Sequence, residues 1–140
     1  MDKRVLVADG DLKNLSIVQW ALDEAGFQVF AAATGGACLE CLAPLVPDLA
    51  LLDVDLPGLS GFDICRRMRL RVDLSTVPVC FMAQHGDDND LVRCLQAGGN
   101  DYIRKPLDRR RLLERVSFWT AQRPKIQERH ESSPTQVWAR

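Results

Sequence analysis

The sequence predicts a doubly wound α/β fold, in which a five-stranded parallel sheet lies between two layers made by five helices. Five short apolar runs alternate along the chain with five segments in which apolar residues recur every three or four positions. The runs are apolar at nearly every residue, which is typical of strands buried on both faces of a parallel sheet. Short loops join the elements, and right-handed crossovers then favour a doubly wound topology.

The first two strands and the first two helices occupy the start of the chain. The run from Arg4 to Ala8 predicts a strand that stops at a cluster of Asp and Gly residues. From Leu12 the apolar residues follow a helical period as far as Gly26, which is placed to end the helix in a left-handed conformation. The run from Phe27 to Ala32 predicts the second strand, and Thr34 can cap the helix that follows.

The rest of the domain repeats the strand and helix pattern three times. The expected strands are residues 49–52, 77–83 and 101–104, and the expected helices are residues 62–71, 88–97 and 108–119. The spacing predicts that the fourth helix buries Leu91, Cys94 and Leu95, and that Asp108 caps the fifth helix. His85, between the fourth strand and the fourth helix, is expected to be an exposed loop residue.

The composition indicates one globular domain, residues 1–121, followed by a linker or disordered tail, residues 122–140. The chain has 140 residues, of which 46% are hydrophobic and 26% are charged, and its net charge is -1. This balance argues against direct binding to nucleic acid or to a membrane surface. No apolar run is long enough to span a bilayer, and the five cysteines fit free thiols in a reducing compartment, so a cytoplasmic protein is expected.

Asp9, Asp53 and Lys105 are the candidate site residues. Each stands at the end of an expected strand, and the carboxyl ends of the first, third and fifth strands lie close together in such a sheet. Carboxylate and carbonyl oxygens are the ligands that Mg²⁺ prefers, and a lysine supplies positive charge for an anionic group. Together these groups would let Asp53 attack a phosphorus atom and form an acyl phosphate.

These motifs resemble the receiver domain of two-component response regulators. The resemblance extends from Asp2 to Gln122 and rests on VLVADGD at the first strand, LLDVDLPGLSGFD at the third, VPV at the fourth and AGGNDYIRKPLD at the fifth. It implies a flavodoxin-like (βα)5 fold and a signalling protein, not an enzyme. A histidine kinase or a phosphotransfer protein would be the partner that supplies the phosphoryl group.

The resemblance also implies a role for each site residue. Asp53 is the expected phosphoacceptor, and the expected ligands of Mg²⁺ are Asp9, Asp53 and the backbone carbonyl of Asp55. Lys105 is expected to contact the phosphoryl group. Tyr102 is the expected switch residue, an aromatic that changes its rotamer on activation.

Two positions depart from the family pattern, and both belong to the site. Gly10 stands where receivers usually carry a second acid that binds the metal directly. A weakened Mg²⁺ site is therefore expected, with Asp11 as a replacement ligand that the backbone freedom of Gly10 would help to reach in. Ala83 stands where receivers place a Thr or Ser, so a hydrogen bond to the phosphoryl group is missing and the coupling to Tyr102 is weakened.

Two alternatives remain open at this point. Gly10 and Ala83 fit a pseudo-receiver, which is the same fold used as a phosphorylation-independent protein-binding module. An enzyme with an aspartyl-phosphate intermediate would need a second acid for the leaving group and a cap over the substrate, and the sequence shows neither.

A homodimer is a further partner that the resemblance implies. Receivers commonly pair through the face made by the fourth helix, the fifth strand and the fifth helix. The arginines at 109–111, together with Arg115, are expected to form the solvated face of the fifth helix. The alternative hypothesis is that they meet acids such as Asp101 or Asp108 of a second copy.

Overall fold

The computed structural model describes residues 2–84 and 88–122, in which five strands alternate with five helices. The strands are β1 (Arg4–Ala8), β2 (Gln28–Ala32), β3 (Leu49–Asp53), β4 (Val79–Ala83) and β5 (Asp101–Arg104). The helices are α1 (Leu12–Glu24), α2 (Gly35–Leu42), α3 (Gly61–Leu70), α4 (Asp88–Gln96) and α5 (Arg109–Ala121). His85 and residues 123–140 of the expected tail lie outside the described residues.

All five strands are parallel, and their order in the sheet is β2-β1-β3-β4-β5. The chain runs outward from β1 to β2 and then returns to β3 on the other side of β1. In open α/β sheets ligands bind outside the carboxyl ends of the strands, at the point where the strand order reverses. The order confirms the predicted doubly wound sheet, and it places the ends of β1 and β3 side by side.

Two apolar layers hold the helices against opposite faces of the sheet. Along β1, Val5 and Val7 belong to one layer, while Leu6 and Ala8 belong to the other, because successive side chains of a strand point to opposite sides. Helices α1 and α5 contribute to the first layer, and α2, α3 and α4 contribute to the second. All residues of β3 are buried, so Asp53 ends a strand that is shielded from water on both faces.

Side-chain caps define the start of four helices. Asp11, Thr34 and Asp108 accept backbone amides at the start of α1, α2 and α5, as predicted for Thr34 and Asp108. Ser60 forms a reciprocal capping box with the third residue of α3. Gly26 has a φ of 94° and follows α1 in the predicted left-handed conformation.

The prediction for the buried face of α4 is wrong at two of its three residues. Cys94 is 1% exposed, but Leu91 and Leu95 are 45% and 60% exposed. The helix lies at the end of the sheet, against β5, and among its described side chains only that of Cys94 is buried in the core. The helical period identified the helix, but it could not show how wide the buried face is.

The cysteines are thiols of low reactivity. All five are free, and burial raises the pKa of the Cys38 thiol to about 12, which makes it a poor nucleophile. Within residues 2–84 and 88–122, none of the helices combines the length and the hydrophobicity needed to cross a lipid bilayer.

Candidate functional site

The carboxyl ends of β1, β3 and β5 bring three charged side chains together. Asp9 follows β1, Asp53 ends β3 and Lys105 follows β5. The Nζ of Lys105 lies 3.0 Å from Oδ1 and 2.9 Å from Oδ2 of Asp9, and 3.3 Å from Oδ2 of Asp53. The side chain of Lys105 is 13% exposed, that of Asp53 is 7% exposed, and that of Asp9 is fully buried. The three residues selected from the sequence therefore form one ionic cluster.

Backbone amides hold the carboxylate of Asp53 in place. Its Oδ1 accepts the amide of Asp55 at 3.0 Å, and its Oδ2 accepts the amide of Gly10 at 3.4 Å. Gly61 starts α3 close to the end of the strand, where a Cβ would lie 2.3 Å from the carbonyl oxygen of Asp53. Only glycine permits this close approach, so Gly61 allows α3 to begin beside Asp53.

Asn14 also belongs to the site, although the sequence analysis did not select it. Its Nδ2 donates a hydrogen bond to Oδ2 of Asp9, and the amide of Asp11 donates to Oδ1 at 2.9 Å. The signal that could have found Asn14 is its place in the first turn of α1, which starts directly after β1. Helices that follow the strands of such a sheet begin at the ligand-binding edge, so their first turns face the site.

The cluster shifts the pKa values of its two carboxyl groups in opposite directions. Burial raises the pKa of Asp9, but hydrogen bonds from Lys105 and the Asp11 amide outweigh it, and the pKa lies below its ordinary value. Burial also raises the pKa of Asp53, and the amide of Asp55 does not fully offset this, so the pKa lies above its ordinary value. Asp9 is therefore the more acidic partner of Lys105.

An open pocket of about 490 Å³ adjoins the cluster. Its lining includes Asp53 and Lys105 together with Asn14 and Asp55. The carbonyl oxygen of Asp55 lies on the same side, since a Cβ on Gly10 would be 3.7 Å from it. A small anion or a hydrated cation can therefore approach Asp53 from solvent.

The oxygen atoms at the pocket fit a Mg²⁺ site that carries less negative charge than a site with a further carboxylate at position 10. In the described part of the chain, no group of three or more His, Cys, Asp or Glu side chains is placed to hold a metal ion. Asp53 and Asp55 line the pocket, whereas the Asp9 carboxylate is fully buried next to them and is paired with Lys105. Mg²⁺ commonly binds through one or two carboxylates while it keeps several waters. Asp11 lines the pocket, but its Oδ1 accepts two amides of the first turn of α1.

Comparison with known proteins identifies the family. The model of the response regulator receiver domain matches residues 5–117. The chain belongs to this family. Transcriptional regulatory protein CseB of Streptomyces coelicolor is 43% identical over 112 residues, which are 80% of this chain and 47% of CseB. The chain thus spans about half the length of this curated relative.

Solved structures of receiver domains share the fold. A putative response regulator from Chloroflexus aurantiacus has a TM-score of 0.83 at 30% identity, over 87% of this chain and 100% of that chain. The receiver domain of sensor histidine kinase PA1611 from Pseudomonas aeruginosa has a TM-score of 0.80 at 26% identity, over 87% of this chain and 100% of that chain. The latter structure has a magnesium ion in its active-site cleft. As a receiver domain, the chain has a phosphoryl-accepting role in two-component signalling.

The two atypical positions of this receiver domain both border the site. Gly10 packs against Pro57, whose Cδ would lie 2.8 Å from a Cβ at that position. Ala83 ends β4, is fully buried, and accepts the amide of Lys105 on its carbonyl oxygen at 2.8 Å. Tyr102, on the neighbouring strand, packs against the core layer, and its hydroxyl oxygen is shielded from solvent. A methyl group therefore stands where receivers usually carry a hydroxyl.

Asp101 connects β5 to α5 in this receiver domain. Its Oδ2 accepts a hydrogen bond from Arg115 at 2.6 Å and another from Nε1 of Trp119 at 2.7 Å. Asp108 also has a partner within its own chain, because its side chain accepts a backbone amide at the start of α5. Both acids that the dimer hypothesis pairs with the arginines of a second copy therefore have partners in their own chain.

Replacing Asp101 with asparagine is expected to make the free energy of unfolding fall less steeply than in the wild type as the pH is lowered. Burial raises the pKa of Asp101, but hydrogen bonds from Arg115 and Trp119 outweigh it, so the pKa lies below the ordinary 3.8. Such a group stabilises the fold above its unfolded-state pKa, and the contribution is lost as the pH falls through the folded-state pKa. At neutral pH we expect the variant to be less stable by about 1.5 kcal/mol, the low end for bonds to a charged group, because Arg115 is partly exposed.

Urea unfolding between neutral pH and pH values below 3.8 measures this effect. The control is Asp23→Asn, which changes an exposed aspartate of α1 and should leave the acid limb of the stability curve as it is in the wild type. If the free energy of unfolding fell equally steeply with decreasing pH for Asp101→Asn and for the wild type, the prediction would be contradicted.

Proposed function

We propose that this receiver domain is phosphorylated on Asp53 and signals through contacts with other proteins. The observation that carries the proposal is the position of the Asp53 carboxylate, which borders the open pocket while its Oδ2 lies 3.3 Å from the Nζ of Lys105. The phosphoryl donor would be a histidine kinase or a phosphotransfer protein, as the two-component family implies.

In the proposed reaction an oxygen of Asp53 attacks the phosphorus atom of a phosphohistidine. A P–O bond forms while the P–N bond of the donor breaks, and the histidine nitrogen keeps the electron pair. Lys105 neutralises the charge that develops on the phosphoryl oxygens. Mg²⁺, held by Asp9, Asp53 and the carbonyl of Asp55, would supply further positive charge, and the magnesium ion in the PA1611 receiver supports this assignment.

The proposed switch works through fewer contacts than in most receivers. Ala83 cannot donate a hydrogen bond to the phosphoryl group, and a bond of that kind to a charged group contributes about 1.5 to 3 kcal/mol. A phosphoryl group shifts the conformation only through contacts that differ between the two states. Lys105 would provide such a contact, and it lies on the same segment as Tyr102, the proposed switch residue.

Incubation with acetyl phosphate and Mg²⁺, followed by measurement of the intact mass, tests the proposal. The wild type is expected to gain the mass of one phosphoryl group, and Asp53→Asn is expected to gain none, because an amide oxygen is a poor nucleophile. Asp55→Asn is the matched control, since it changes a neighbouring acid but keeps the backbone carbonyl. A wild type that gains no mass from acetyl phosphate or from a phosphorylated kinase would refute the assignment.

The alternative is a pseudo-receiver that binds its partner without phosphorylation. Gly10 and Ala83 favour it, because each removes a group that usually serves the phosphoryl reaction. The match to response regulators over residues 5–117 and the contact between Asp53 and Lys105 favour phosphoryl acceptance. A partner that binds the wild type and Asp53→Asn equally under phosphorylating conditions would support the alternative.

The partners of the domain are proposed to be proteins. A net charge of -1 gives no electrostatic basis for binding nucleic acid, and the proposed place of action is the cytoplasm. CseB is a transcriptional regulatory protein, but this chain spans only about half of CseB, so we assign no transcriptional output to it.

We propose that a second copy docks on the face made by α4, β5 and α5. On this part of the molecule Leu91, Val92 and Leu95 of α4 and Phe118 of α5 are exposed, and apolar side chains of this size favour an isologous contact. Sedimentation velocity with beryllofluoride and Mg²⁺ should show a dimer for the wild type and a monomer for Leu95→Glu. A wild type that stays monomeric at high concentration would contradict the proposal.

A further inference from the structure

We propose that Asn14 is part of the cation site and supplies an oxygen that the missing acid at Gly10 would otherwise supply. This inference rests on the proposed Mg²⁺-dependent phosphorylation of Asp53. Asn14 lies in the first turn of α1, is partly buried, and lines the same pocket as Asp53 and Asp55. It therefore borders the part of the pocket where a cation would meet the carboxylate of Asp53.

The hydrogen bond to Asp9 determines how the Asn14 amide is turned. An ionised carboxylate can only accept hydrogen bonds, so the amide must present its Nδ2 to Asp9. The other atom of the same group, Oδ1, is then an acceptor that remains for a ligand. A carboxamide oxygen is a hard, neutral donor of the kind that binds divalent cations, directly or through a water.

The second contribution of Asn14 is to orient Asp9. This carboxylate is held from three directions, by Lys105, by the amide of Asp11 and by Asn14. Groups that hold a ligating carboxylate in this way change metal affinity about 10-fold to 100-fold when they are removed. Because Gly10 brings no carboxylate, the site has few other groups that could compensate for the loss of Asn14.

A titration of the unphosphorylated protein with Mg²⁺, followed by NMR at the amides of Gly10, Asp11 and Asp55, tests the inference without any phosphoryl transfer. Asn14→Leu has a similar size but no polar atoms, and we expect it to weaken Mg²⁺ binding about tenfold. Asn14→Asp gives up the hydrogen bond to Asp9 but keeps an oxygen and adds a negative charge; because this charge attracts the cation directly, we expect a net tightening of binding of up to about tenfold.

Two variants at Ser16 are the matched controls. Ser16 is exposed on the same helix, two residues away from Asn14, and is not part of the pocket lining. Ser16→Leu and Ser16→Asp repeat the two substitutions outside the pocket, and both should bind Mg²⁺ as the wild type does, because water and salt screen an exposed charge. Unfolding in the presence of a chelator shows whether each variant is folded without the metal.

The outcomes separate this inference from the proposed function. Asn14 variants that bind Mg²⁺ like their Ser16 counterparts would overturn the inference, and so would Asn14→Asp binding more weakly than the wild type. A wild type that binds no Mg²⁺ would overturn it as well. Failure to phosphorylate Asp53 when Mg²⁺ binding follows the expected order would refute the proposed function alone. If Asn14→Leu does not fold, Asn14→Asp decides the question.

Discussion

Replacing Lys105 with methionine is expected to lower the free energy of unfolding by about 3 kcal/mol at neutral pH. The Nζ of Lys105 pairs with Asp9 at 2.9 Å and with Asp53 at 3.3 Å. Its removal leaves two neighbouring carboxylates, both largely buried, with no cation between them. We expect the low end of the range for a broken buried ion pair, because the adjoining pocket opens to water.

The effect of this substitution should depend on pH with a definite sign. Burial lowers the pKa of Lys105, but Asp9 and Asp53 outweigh it and raise the pKa above the ordinary 10.5. A lysine whose pKa is higher in the folded than in the unfolded state contributes its full stabilisation at pH values below 10.5. This stabilisation is lost as the pH rises through the folded-state pKa. At acid pH the two carboxyl groups take up protons, so the difference between wild type and Lys105→Met should shrink there.

Urea unfolding at several pH values measures both parts of the prediction. The control is Arg104→Met, which removes an exposed cation from the preceding position of the chain. It should change the free energy of unfolding by less than about 0.5 kcal/mol, as is usual for surface substitutions. Equal stabilities of Lys105→Met and Arg104→Met at neutral pH would show that the ion cluster does not stabilise the fold.

Replacing Gly10 with aspartate is expected to tighten Mg²⁺ binding by about tenfold or more. The added carboxylate would stand near the carbonyl oxygen of Asp55, which lies 3.7 Å from the Cβ position. A further unit charge at contact distance contributes on the order of 1 to 4 kcal/mol to the attraction of a cation, depending on the local dielectric. Without Mg²⁺ the variant should be less stable, since the new side chain is not accommodated until Pro57, 2.8 Å from that Cβ, moves away.

Gly10→Asn separates the added charge from the added bulk. It meets Pro57 in the same way and brings a neutral amide oxygen but no negative charge, so it should lose stability while gaining much less affinity for Mg²⁺ than Gly10→Asp does. Titration with Mg²⁺ gives the affinities, and thermal unfolding with and without Mg²⁺ gives the stabilities, which binding to the native state should raise. Gly10→Asp binding Mg²⁺ no more tightly than Gly10→Asn would mean that the missing acid does not limit the site.

Most of the candidate site could be predicted because its residues carry local signals. Asp9, Asp53 and Lys105 each place a charge at the end of an apolar strand, and the fold class alone brings those strand ends together. Asn14 carries no such signal, because an asparagine in the first turn of a helix resembles any polar surface residue. Its role depends on how close α1 comes to Asp9 after the chain leaves β1.

By itself the sequence determined the order of strands and helices, the parallel sheet, and the family to which the chain belongs. Only the tertiary structure decided that Leu91 and Leu95 are exposed. It also decided that Arg115 donates a hydrogen bond to Asp101 and that Asn14 donates one to Asp9. The physical reason is that periodicity reports which element forms and which of its sides is apolar. The partner of a side chain depends instead on the distance between segments that are far apart in the chain, and that distance is determined only when the elements pack.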